Sequence, residues 1–519
     1  MKSIFLAAIV STSSALLAAD VRITVEAPAT PRPISPYIYG VNQNPGGDLA
    51  RFPMLRQGGN RMTAWNWETN ASNAGADWNH QSDDYLGGGD TPGEVVRKHV
   101  ANAMANRQAA VVTVPMAGYV SADKLGNGDV NQTPDYLNTR FHKSLPSKSK
   151  ARGGSFVFPP DTNDRFVYQD EMVWWVEKTF GGPNRAAPIF YALCNEPDLW
   201  NHTHERIHPQ KLTYAELISR TIDWSSAIKA VAPMSKVFGF VSFGYSGYST
   251  LQAAPDGNGR FFIDVFLQAM AAAEKDTGQR LVDVLALHWY PETRGGGIRI
   301  TSPAGEGPAV GKDTALARVQ APRHMYDPTF RETSWIDTDV VRGPIYLIRT
   351  LQEKIAKNYP GTALAFTEYN YGGGEEISGA IAQADVLGAF GRHGIFAASW
   401  WSIGEKNPFI AAGFDAFLNY DGQGGRFGQS SLDTTSSDIT RVSAWAAQRT
   451  DGVVTLVLIN RGETDAAVSL AGGALTGTGA TRTFVLQEKT GPNWVSTTPG
   501  KLGELSLPAM SITVVEAGK

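Results

Sequence analysis

Two glutamates that each follow a short apolar run are the residues best suited to chemistry in this sequence. Glu196 follows the run from Pro188 to Leu193, and Glu368 follows the run from Ala363 to Phe366. Such runs favour buried strands, so each carboxyl is expected at the C-terminal end of a strand. Either glutamate alone could equally be a helix cap or a surface charge. Two carboxyls at the ends of parallel strands can instead flank one glycosidic bond, as acid and nucleophile.

The neighbours of the two glutamates suggest different protonation states. Asn195 precedes Glu196, and its amide can bind a sugar hydroxyl. A partly apolar setting there would keep Glu196 protonated, as a general acid requires. Tyr369 follows Glu368, and a hydrogen bond from its hydroxyl would keep that carboxylate ionised as the nucleophile.

The sequence predicts an α/β fold in which the two glutamates end the fourth and seventh of eight strands. Apolar, β-rich runs alternate with helical stretches, and eight such runs fit a closed (β/α)8 TIM-like barrel. The predicted strands are Tyr37 to Asn42, Met54 to Met62, Ala109 to Val114, Pro188 to Leu193, Lys236 to Val241, Leu281 to Leu287, Ala363 to Phe366 and Gly394 to Ser399. Apolar spacing of three and four residues predicts helices over Gln169 to Lys178, Tyr214 to Val231, Phe261 to Lys275, Pro344 to Lys357 and Ile377 to Phe390.

The pattern changes after about Gly425 to short strands separated by Gly, Asp, Asn and Ser turns, which indicates an attached antiparallel β-sandwich domain. The early alternating segment Asp20 to Ala27 could pair into this sandwich. We therefore expect residues 20–36 to form an N-terminal strand of the sandwich, 37–425 the catalytic barrel and 426–519 the sandwich domain.

The first 19 residues have the features of a secretory signal peptide. Lys2 supplies a positive charge, an apolar stretch follows, and small residues precede a plausible cleavage site after Ala19. A membrane anchor needs about 20 apolar residues, and Ser11 to Ser14 interrupts this run. The sequence thus predicts a secreted or periplasmic protein.

Composition argues against several classes of function. The net charge is −4, so no basic surface favours nucleic acid or an anionic membrane as a partner. Cys194 is the single cysteine, which rules out an intrachain disulfide, and no zinc, Walker or dinucleotide-binding motif is present. Aromatic residues make up 10% of the chain, a share that suits stacking on neutral sugar rings. A monomer acting on polysaccharide, with no cofactor required for catalysis, is expected.

Several short motifs together resemble glycoside hydrolase family 44, within the clan of retaining (β/α)8 glycosidases. They are the segments 38–42, 58–61, 66–68, 70–75, 195–197, 206–209, 288–291, 327–330, 334–336, 367–371 and 399–401. The resemblance spans nearly the whole mature chain. It implies an endo-acting β-1,4-glucanase on xyloglucan, carboxymethylcellulose and mixed-linkage glucan, with Glu196 as acid/base and Glu368 as nucleophile. Tyr326 and Cys194 depart from the family pattern, where Trp and Asp are expected.

A set of residues around the two glutamates is predicted to bind substrate. Polar supports, strand-end groups and stacking rings make up this set: Arg61, Trp67, Asn195, His288, Tyr290, Tyr326, Trp335 and Trp400. His288 is also typical of a structural imidazole. Arg61 could form an internal ion pair, or it could orient Glu368. Successive strand residues alternate in direction, so one of Trp400 and Trp401 must point away from the barrel axis. The aspartates Asp77, Asp83 and Asp84 could bind a structural calcium ion or simply be solvated in a loop.

Two further interpretations stay open. A xylanase or mannanase could use the same barrel, because the acid and the nucleophile do not specify the sugar. A catalytically inactive carbohydrate-binding protein would also keep the barrel, but the presence of both glutamates disfavours it.

Overall fold

The computed structural model describes residues 20–151, 153–182, 185–302, 311–404 and 406–518. The predicted signal peptide, residues 1–19, lies outside the described residues. No helix in the described part of the chain is both long enough and apolar enough to cross a membrane.

Eight parallel strands close into a barrel in sequence order, which confirms the predicted fold class. Each strand hydrogen-bonds to the next, and the eighth pairs with the first. The strands are β1 (Gly40–Val41), β2 (Met54–Gln57), β3 (Ala109–Val114), β4 (Ile189–Leu193), β5 (Val237–Ser242), β6 (Val284–Trp289), β7 (Ala363–Tyr369) and β8 (Ala397–Trp400).

Helices of nine to eighteen residues surround the barrel. They include the five predicted from sequence, with ends that differ by at most three residues. They are α1 (Glu94–Ala105), α2 (Gln169–Thr179), α3 (Tyr214–Val231), α4 (Phe262–Thr277), α5 (Lys312–Gln320), α6 (Leu347–Asn358), α7 (Ile377–Arg392) and α8 (Pro408–Leu418). Helix α3 illustrates their local origin, because Thr213 caps it by accepting from the Glu216 N–H at 3.0 Å.

Shorter elements decorate the loops of the barrel. Among the described residues, the short helical segments are Pro36–Tyr39, Leu49–Arg51, Asn60–Thr63, Gly75–Trp78, Val130–Gln132, Tyr136–Thr139, Lys148–Ala151, Pro197–Leu199, Trp200–Thr203, Tyr245–Thr250, Ala321–Met325 and Ile336–Val341. The short loop strands are Ser72–Asn73, Ser82–Asp83, Tyr119–Ser121, Phe141–Leu145, Phe166–Tyr168, Arg294–Gly295 and Ile298–Arg299.

Alternation along the barrel strands separates two apolar layers. Side chains such as Met54, Phe190 and Phe238 fill the barrel interior. Their neighbours in sequence pack outward against the helices, in a larger core that includes Leu55 and Tyr191. The interior is therefore a packed core, and chemistry is left to the ends of the strands.

A second domain packs two sheets against the barrel. One sheet has the strand order Asp433–Ser436, Val21–Glu26, Ala466–Ala471 and Leu505–Leu507. The other has the order Arg32–Pro33, Ser430–Ser431, Val442–Gln448, Val454–Asn460, Ser511–Gly518, Gly479–Gln487 and Val495–Thr497. Short helical turns occur at Gly473–Leu475 and Glu488–Thr490.

The segment Val21–Glu26 occupies the middle of the smaller sheet. It pairs antiparallel with Asp433–Ser436 and parallel with Ala466–Ala471, so one pair of this otherwise antiparallel sandwich is parallel. Its alternate residues Val21, Ile23 and Val25 are buried between the two sheets.

Helix α7 joins the two domains through a buried polar network around Asp385. One carboxylate oxygen of Asp385 accepts from Ser443 Oγ at 2.7 Å and from Trp445 Nε1 at 3.0 Å. The other accepts from Tyr326 Oη at 3.0 Å and from Arg461 Nη2 at 2.5 Å. Asp385 and the Arg461 side chain are fully buried, so the ion pair at the centre of this network is shielded from solvent.

Candidate active site

A bulge at the end of β7 brings Glu368 to the barrel axis. The register along β6 pairs Leu287 with Phe366 but the next residue, His288, with Glu368, so Thr367 is an extra residue. A bulge of this kind changes the direction of the side chain that follows it. Glu368 and His288 therefore lie side by side at the carboxyl ends of β7 and β6.

Glu368 is held by three side chains. Arg56 Nη1, from β2, donates to Oε1 at 2.8 Å, and Tyr290 Oη donates to Oε2 at 2.8 Å. His288 Nδ1 lies 3.4 Å from Oε2. The Arg56 side chain is fully buried and that of Glu368 is 6% exposed, so the ion pair is shielded from water. The carboxylate is thus fixed in orientation with a positive charge at its side.

Glu196 lies in a tight turn after β4. Its backbone has φ 41° and ψ 57°, in the left-handed region, and it precedes the short helix Pro197–Leu199. Cys194 and Val241 also have positive φ, 63° and 61°, and the Glu196 N–H donates to the Val241 carbonyl at 3.0 Å. Non-glycine residues in this region cost on the order of 1–3 kcal/mol each, so the surrounding structure must enforce the turn.

Burial raises the pKa of Glu196 to about 7, while Arg56 opposes the shift and Asp77 adds to it. Burial lowers the pKa of His288 to about 3, so its imidazole is neutral near neutral pH. His288 Nδ1 lies 2.9 Å from Glu196 Oε1 and can hydrogen-bond it. Glu196 therefore remains protonated to a higher pH than an exposed glutamate, as a general acid must.

The separation of the two carboxyls suits a retaining glycosidase. One oxygen of Glu196, one oxygen of Glu368 and one ring nitrogen of His288 all lie within 4.8 Å of one another. Retaining enzymes hold their carboxyls about 5–5.5 Å apart, whereas inverting enzymes need about 6.5–9.5 Å. The same three atoms could ligate a metal ion, but Arg56 already occupies Oε1 of Glu368 and its charge opposes a cation.

Asn195 connects the two glutamates to the barrel rim. Its Oδ1 accepts from Arg56 Nη2 at 3.0 Å and from the Gly59 N–H at 3.2 Å. One arginine therefore bonds both Glu368 and the residue before Glu196. This arrangement fixes the relative positions of the two carboxyls.

Two open hollows are lined in part by residues that hydrogen-bond Asn195 or Glu368. The larger, about 720 Å³, contains Gly59, which bonds Asn195, and its other lining residues include Asn60, Arg61, Asp77, Trp78, Gln81, Asp83, Tyr85 and Trp401. The smaller, about 180 Å³, contains Tyr290, which bonds Glu368, and it is also lined by Phe243, Tyr245, Trp289, Glu292, Arg299 and Trp335. Aromatic rings and neutral or paired polar groups line both, as binding of an uncharged sugar chain requires.

Comparison with known proteins supports the same assignment. The model of glycoside hydrolase family 44 matches residues 71–293. A family 44 endoglucanase of Clostridium thermocellum has a solved structure that matches with a TM-score of 0.90 at 38% identity, over 96% of this chain and 100% of that one. The chain belongs to glycoside hydrolase family 44.

Two further family 44 relatives are similar over most of this chain. A xyloglucanase of Paenibacillus polymyxa, solved with xyloglucan, matches with a TM-score of 0.89 at 36% identity, over 96% of this chain and 99% of that one. Endoglucanase A of Paenibacillus lautus is 42% identical over 447 residues, which cover 83% of this chain. The match spans 62% of the length of Endoglucanase A.

In this family 44 chain, the arginine that orients Glu368 is Arg56, and the prediction that Arg61 could do so is wrong. Arg61 lines the larger hollow, pairs with Asp83 and lies 4.4 Å from the centre of the Tyr85 ring. Sequence reasoning missed Arg56 although a signal was available. Arg56 is two positions after Met54 in a predicted barrel strand, so its side chain points inward as that of Met54 does. A charged side chain in the barrel interior needs a buried partner.

Two predicted stacking rings lie in the core, so their assignment to the substrate is wrong. Trp67 is fully buried, stacks on Trp175 and donates from Nε1 to the Tyr168 carbonyl at 3.2 Å. Tyr326 is 7% exposed and bonds Asp385 between the two domains. Both rings are aromatic residues beside polar groups, and sequence alone does not distinguish a satisfied core ring from a stacking platform.

The choice of Trp400 within the tryptophan pair is also wrong. Trp400 is fully buried in the outer core with Ala398, the residue two positions earlier on β8. Trp401 instead lines the larger hollow, where its ring passes over Gly59 so closely that a Cβ there would lie 2.6 Å from Cη2. The alternation rule was sufficient to find Trp401, once Ala397 was recognised as an inward residue.

The other predicted residues either line a hollow that substrate can reach or contact the catalytic groups. Trp335 is 38% exposed in the smaller hollow, near Tyr245. Asn195, His288 and Tyr290 contact the catalytic carboxyls or Arg56, as described above. The expected hydrogen bond from Tyr369 to Glu368 is wrong, because the Tyr369 hydroxyl faces outward and accepts from Gln383 Nε2 at 2.7 Å.

Two of the predicted calcium ligands, Asp77 and Asp83, have protein partners. Asp77 accepts from Asn60 Nδ2 at 2.8 Å, and Asp83 bonds Arg61 and, at 3.0 Å, Gln81 Nε2. Within the described ranges, these aspartates do not bring three ligand atoms within 4.8 Å of one another.

Proposed function

We propose that this chain is an endo-acting β-1,4-glucanase, active on xyloglucan, carboxymethylcellulose and mixed-linkage glucan, that hydrolyses its substrate by a retaining double displacement. The observation that carries the proposal is the close approach of Glu196 and Glu368, with one oxygen of each within 4.8 Å. Their surroundings differ in the sense that an acid and a nucleophile require.

In the first step, a Glu368 oxygen attacks the anomeric carbon. The bond from that carbon to the leaving oxygen breaks, and the Glu196 proton moves to that oxygen. Arg56 and Tyr290 hold Glu368 in position for the attack. The step leaves a glycosyl ester on Glu368 and a carboxylate on Glu196.

In the second step, the Glu196 carboxylate removes a proton from a water molecule. The water oxygen bonds to the anomeric carbon, and the bond to Glu368 breaks. Two displacements at one carbon return the β configuration, so the product retains the configuration of the substrate. His288, neutral and 2.9 Å from Glu196, can bond this carboxyl in either protonation state.

The substrate class is supported by the shape of the site and by the names of the relatives. Hollows lined by Trp78, Tyr85, Trp335 and Trp401 offer stacking surfaces for successive glucose rings. Relatives named endoglucanase and xyloglucanase match over most of this chain. An open groove would admit the interior of a chain, which is what endo cleavage needs.

We also propose where the enzyme acts, that it is a monomer, and that catalysis requires no cofactor. A secreted or periplasmic monomer suits a polymer too large to enter the cell, and the double displacement uses protein carboxyls alone. Turnover after dialysis against a chelator should therefore equal that of untreated enzyme. A fall in the melting temperature after the same dialysis, restored by calcium, would support binding of a structural calcium ion.

One experiment tests the substrate and the mechanism together. Xyloglucan, carboxymethylcellulose, mixed-linkage glucan, xylan and mannan are compared by viscosity, product size and the first-formed anomer in proton NMR. We expect viscosity of a β-glucan to fall before reducing ends accumulate, and the β anomer to form first. A preference for xylan or mannan would overturn the substrate assignment, and a first-formed α anomer would overturn the mechanism.

A further inference from the structure

Asp198 is a buried carboxyl two residues after Glu196 to which the mechanism gives no task. It lies in the short helix Pro197–Leu199 and is 2% exposed. Its Oδ2 accepts from Ser242 Oγ at 2.7 Å, and the Phe243 N–H lies 3.3 Å from both carboxylate oxygens. Ser242 is the last residue of β5, so Asp198 connects the turn after β4 to the end of the next strand.

This connection spans the strained part of the site. Glu196 and Val241 both have left-handed backbones, and the hydrogen bond from the Glu196 N–H to the Val241 carbonyl joins them. Asp198 bonds Ser242, the residue directly after Val241. Glu196 is two residues before Asp198, and Val241 is one residue before Ser242. The Asp198–Ser242 hydrogen bond therefore helps to enforce both left-handed conformations.

The surrounding chain is built closely around the Asp198–Ser242 pair. A Cβ on Gly247 would lie 1.8 Å from Asp198 Oδ2 and 2.1 Å from Ser242 Oγ. Only glycine therefore lets the backbone at position 247 pack this closely against the pair. Burial raises the pKa of Asp198 to about 7, with Ser242 opposing the shift and Glu196 adding to it. A buried carboxyl is destabilising unless its oxygens accept hydrogen bonds.

We propose that Asp198 is a positioning residue for Glu196. By accepting from Ser242 it holds the turn after β4, so that the Glu196 carboxyl meets the oxygen of the departing sugar. The inference rests on the proposed role of Glu196 as general acid. Loss of the contact should slow proton donation to the leaving group and leave attack by Glu368 intact.

Aryl β-cellotriosides that differ in the acidity of the released phenol provide the test. A dinitrophenol leaves without protonation, whereas phenol needs the acid, and kcat/KM reports the first displacement. We expect Asp198→Ala to lower kcat/KM about 10- to 100-fold for the phenyl substrate, as misplacement of a catalytic group does, with little change for the dinitrophenyl substrate. Ser242→Ala should show the same selectivity to a smaller extent, and Asp198→Asn, which keeps an acceptor oxygen, should recover part of the loss.

Ser443→Ala is the matched control, because Ser443 is also buried and donates to an aspartate at 2.7 Å, far from the acid. It should change kcat/KM equally, or not at all, across the series. Glu196→Ala tests the underlying role and should show the steepest dependence on the leaving group.

The outcomes separate the two claims. If Glu196→Ala shows no such dependence, the proposed role of Glu196 fails. If Glu196→Ala shows it and the folded Asp198→Ala and Ser242→Ala variants do not, the positioning role of Asp198 is overturned. Ser242→Ala carries the test should Asp198→Ala not fold.

Discussion

Two buried arginine–carboxylate pairs in this chain have similar geometry and different surroundings. Arg56 bonds Glu368 at 2.8 Å at the open end of the barrel, and Arg461 bonds Asp385 at 2.5 Å between the domains. Both oxygens of Asp385 accept hydrogen bonds from buried side chains, and the carboxylate itself is fully buried. Glu368 instead faces a second carboxyl and lies beside hollows that substrate can enter. Since both carboxylates bond a buried arginine, the reactive one is distinguished by the second carboxyl and the accessible space beside it.

The strongest test of this contrast replaces each carboxylate by its amide. Glu368→Gln should lower turnover on xyloglucan by at least about 10⁴-fold, because no other group is placed to form the glycosyl ester. The melting temperature should fall as well, because the change leaves the buried Arg56 without its counter-ion. In Glu368→Ala, added azide should restore slow turnover and give a glycosyl azide of inverted configuration. Wild-type turnover by a folded Glu368→Gln protein would show that the nucleophile has been misassigned.

Asp385→Asn should lower stability without lowering activity. Removing one charge leaves Arg461 buried without its counter-ion, which costs about 3–5 kcal/mol in the free energy of unfolding. Urea denaturation measures this loss, and kcat of the remaining folded enzyme should equal that of the wild type. A stable Asp385→Asn variant with reduced kcat would mean that the contact between domains acts on the active site.

A smaller effect is expected at the open side of the catalytic pair. Trp335→Ala removes a ring from the smaller hollow, and a stacked ring contributes about 1–2 kcal/mol of binding. KM for xyloglucan should rise by about 5- to 30-fold with kcat nearly unchanged. The control is Met234→Ala, since Met234 is 84% exposed and precedes β5 at the opposite end of the barrel. Equal effects of the two changes on KM would remove Trp335 from the binding site.

The smallest expected effect concerns charge at the open end. Burial raises the pKa of Glu196 to about 7, so kcat/KM should fall as pH rises through about 7 and the acid loses its proton. Asp77 adds to this shift, and its removal favours the ionised form of Glu196. Asp77→Asn should therefore move the alkaline limb of the profile to lower pH, by less than about one unit. Asp84→Asn changes an exposed charge in the same loop and should leave the limb in place; a shift toward higher pH with Asp77→Asn would contradict the assigned sign.

The sequence predicted the barrel and its two glutamates because both depend on local patterns. Apolar runs that alternate with helical periodicity determine strand order in this architecture, and a carboxyl just after such a run is placed at the strand end. The bulge at Thr367 could not be predicted in this way. The two-residue period of a regular strand gives the direction of each side chain, and the extra residue Thr367 changes the direction of Glu368 after it.

The substrate-binding residues were predicted less well because they depend on long-range contacts. Trp67 and Tyr326 have the composition of stacking rings, but the partners that bury them, Trp175 and Asp385, are distant in sequence. Arg56 was overlooked for the same reason, because its partners include Asn195, just after β4, and Glu368, on β7. The exposed rings Trp78 and Tyr85 lie on loops, for which periodicity provides no direction.

The position of Val21–Glu26 in the small sheet has a consequence for biosynthesis. This strand precedes the barrel in sequence, yet the Arg22 N–H donates to Ser437 Oγ, 415 positions later. Because synthesis runs from the N-terminus and domains fold as units, the barrel can complete before the partners of this strand leave the ribosome. Contacts between such distant segments form late and slowly. The apolar side chains Val21, Ile23 and Val25 therefore stay exposed until the C-terminal strands have been synthesised. We expect nascent chains to need a chaperone most during this interval.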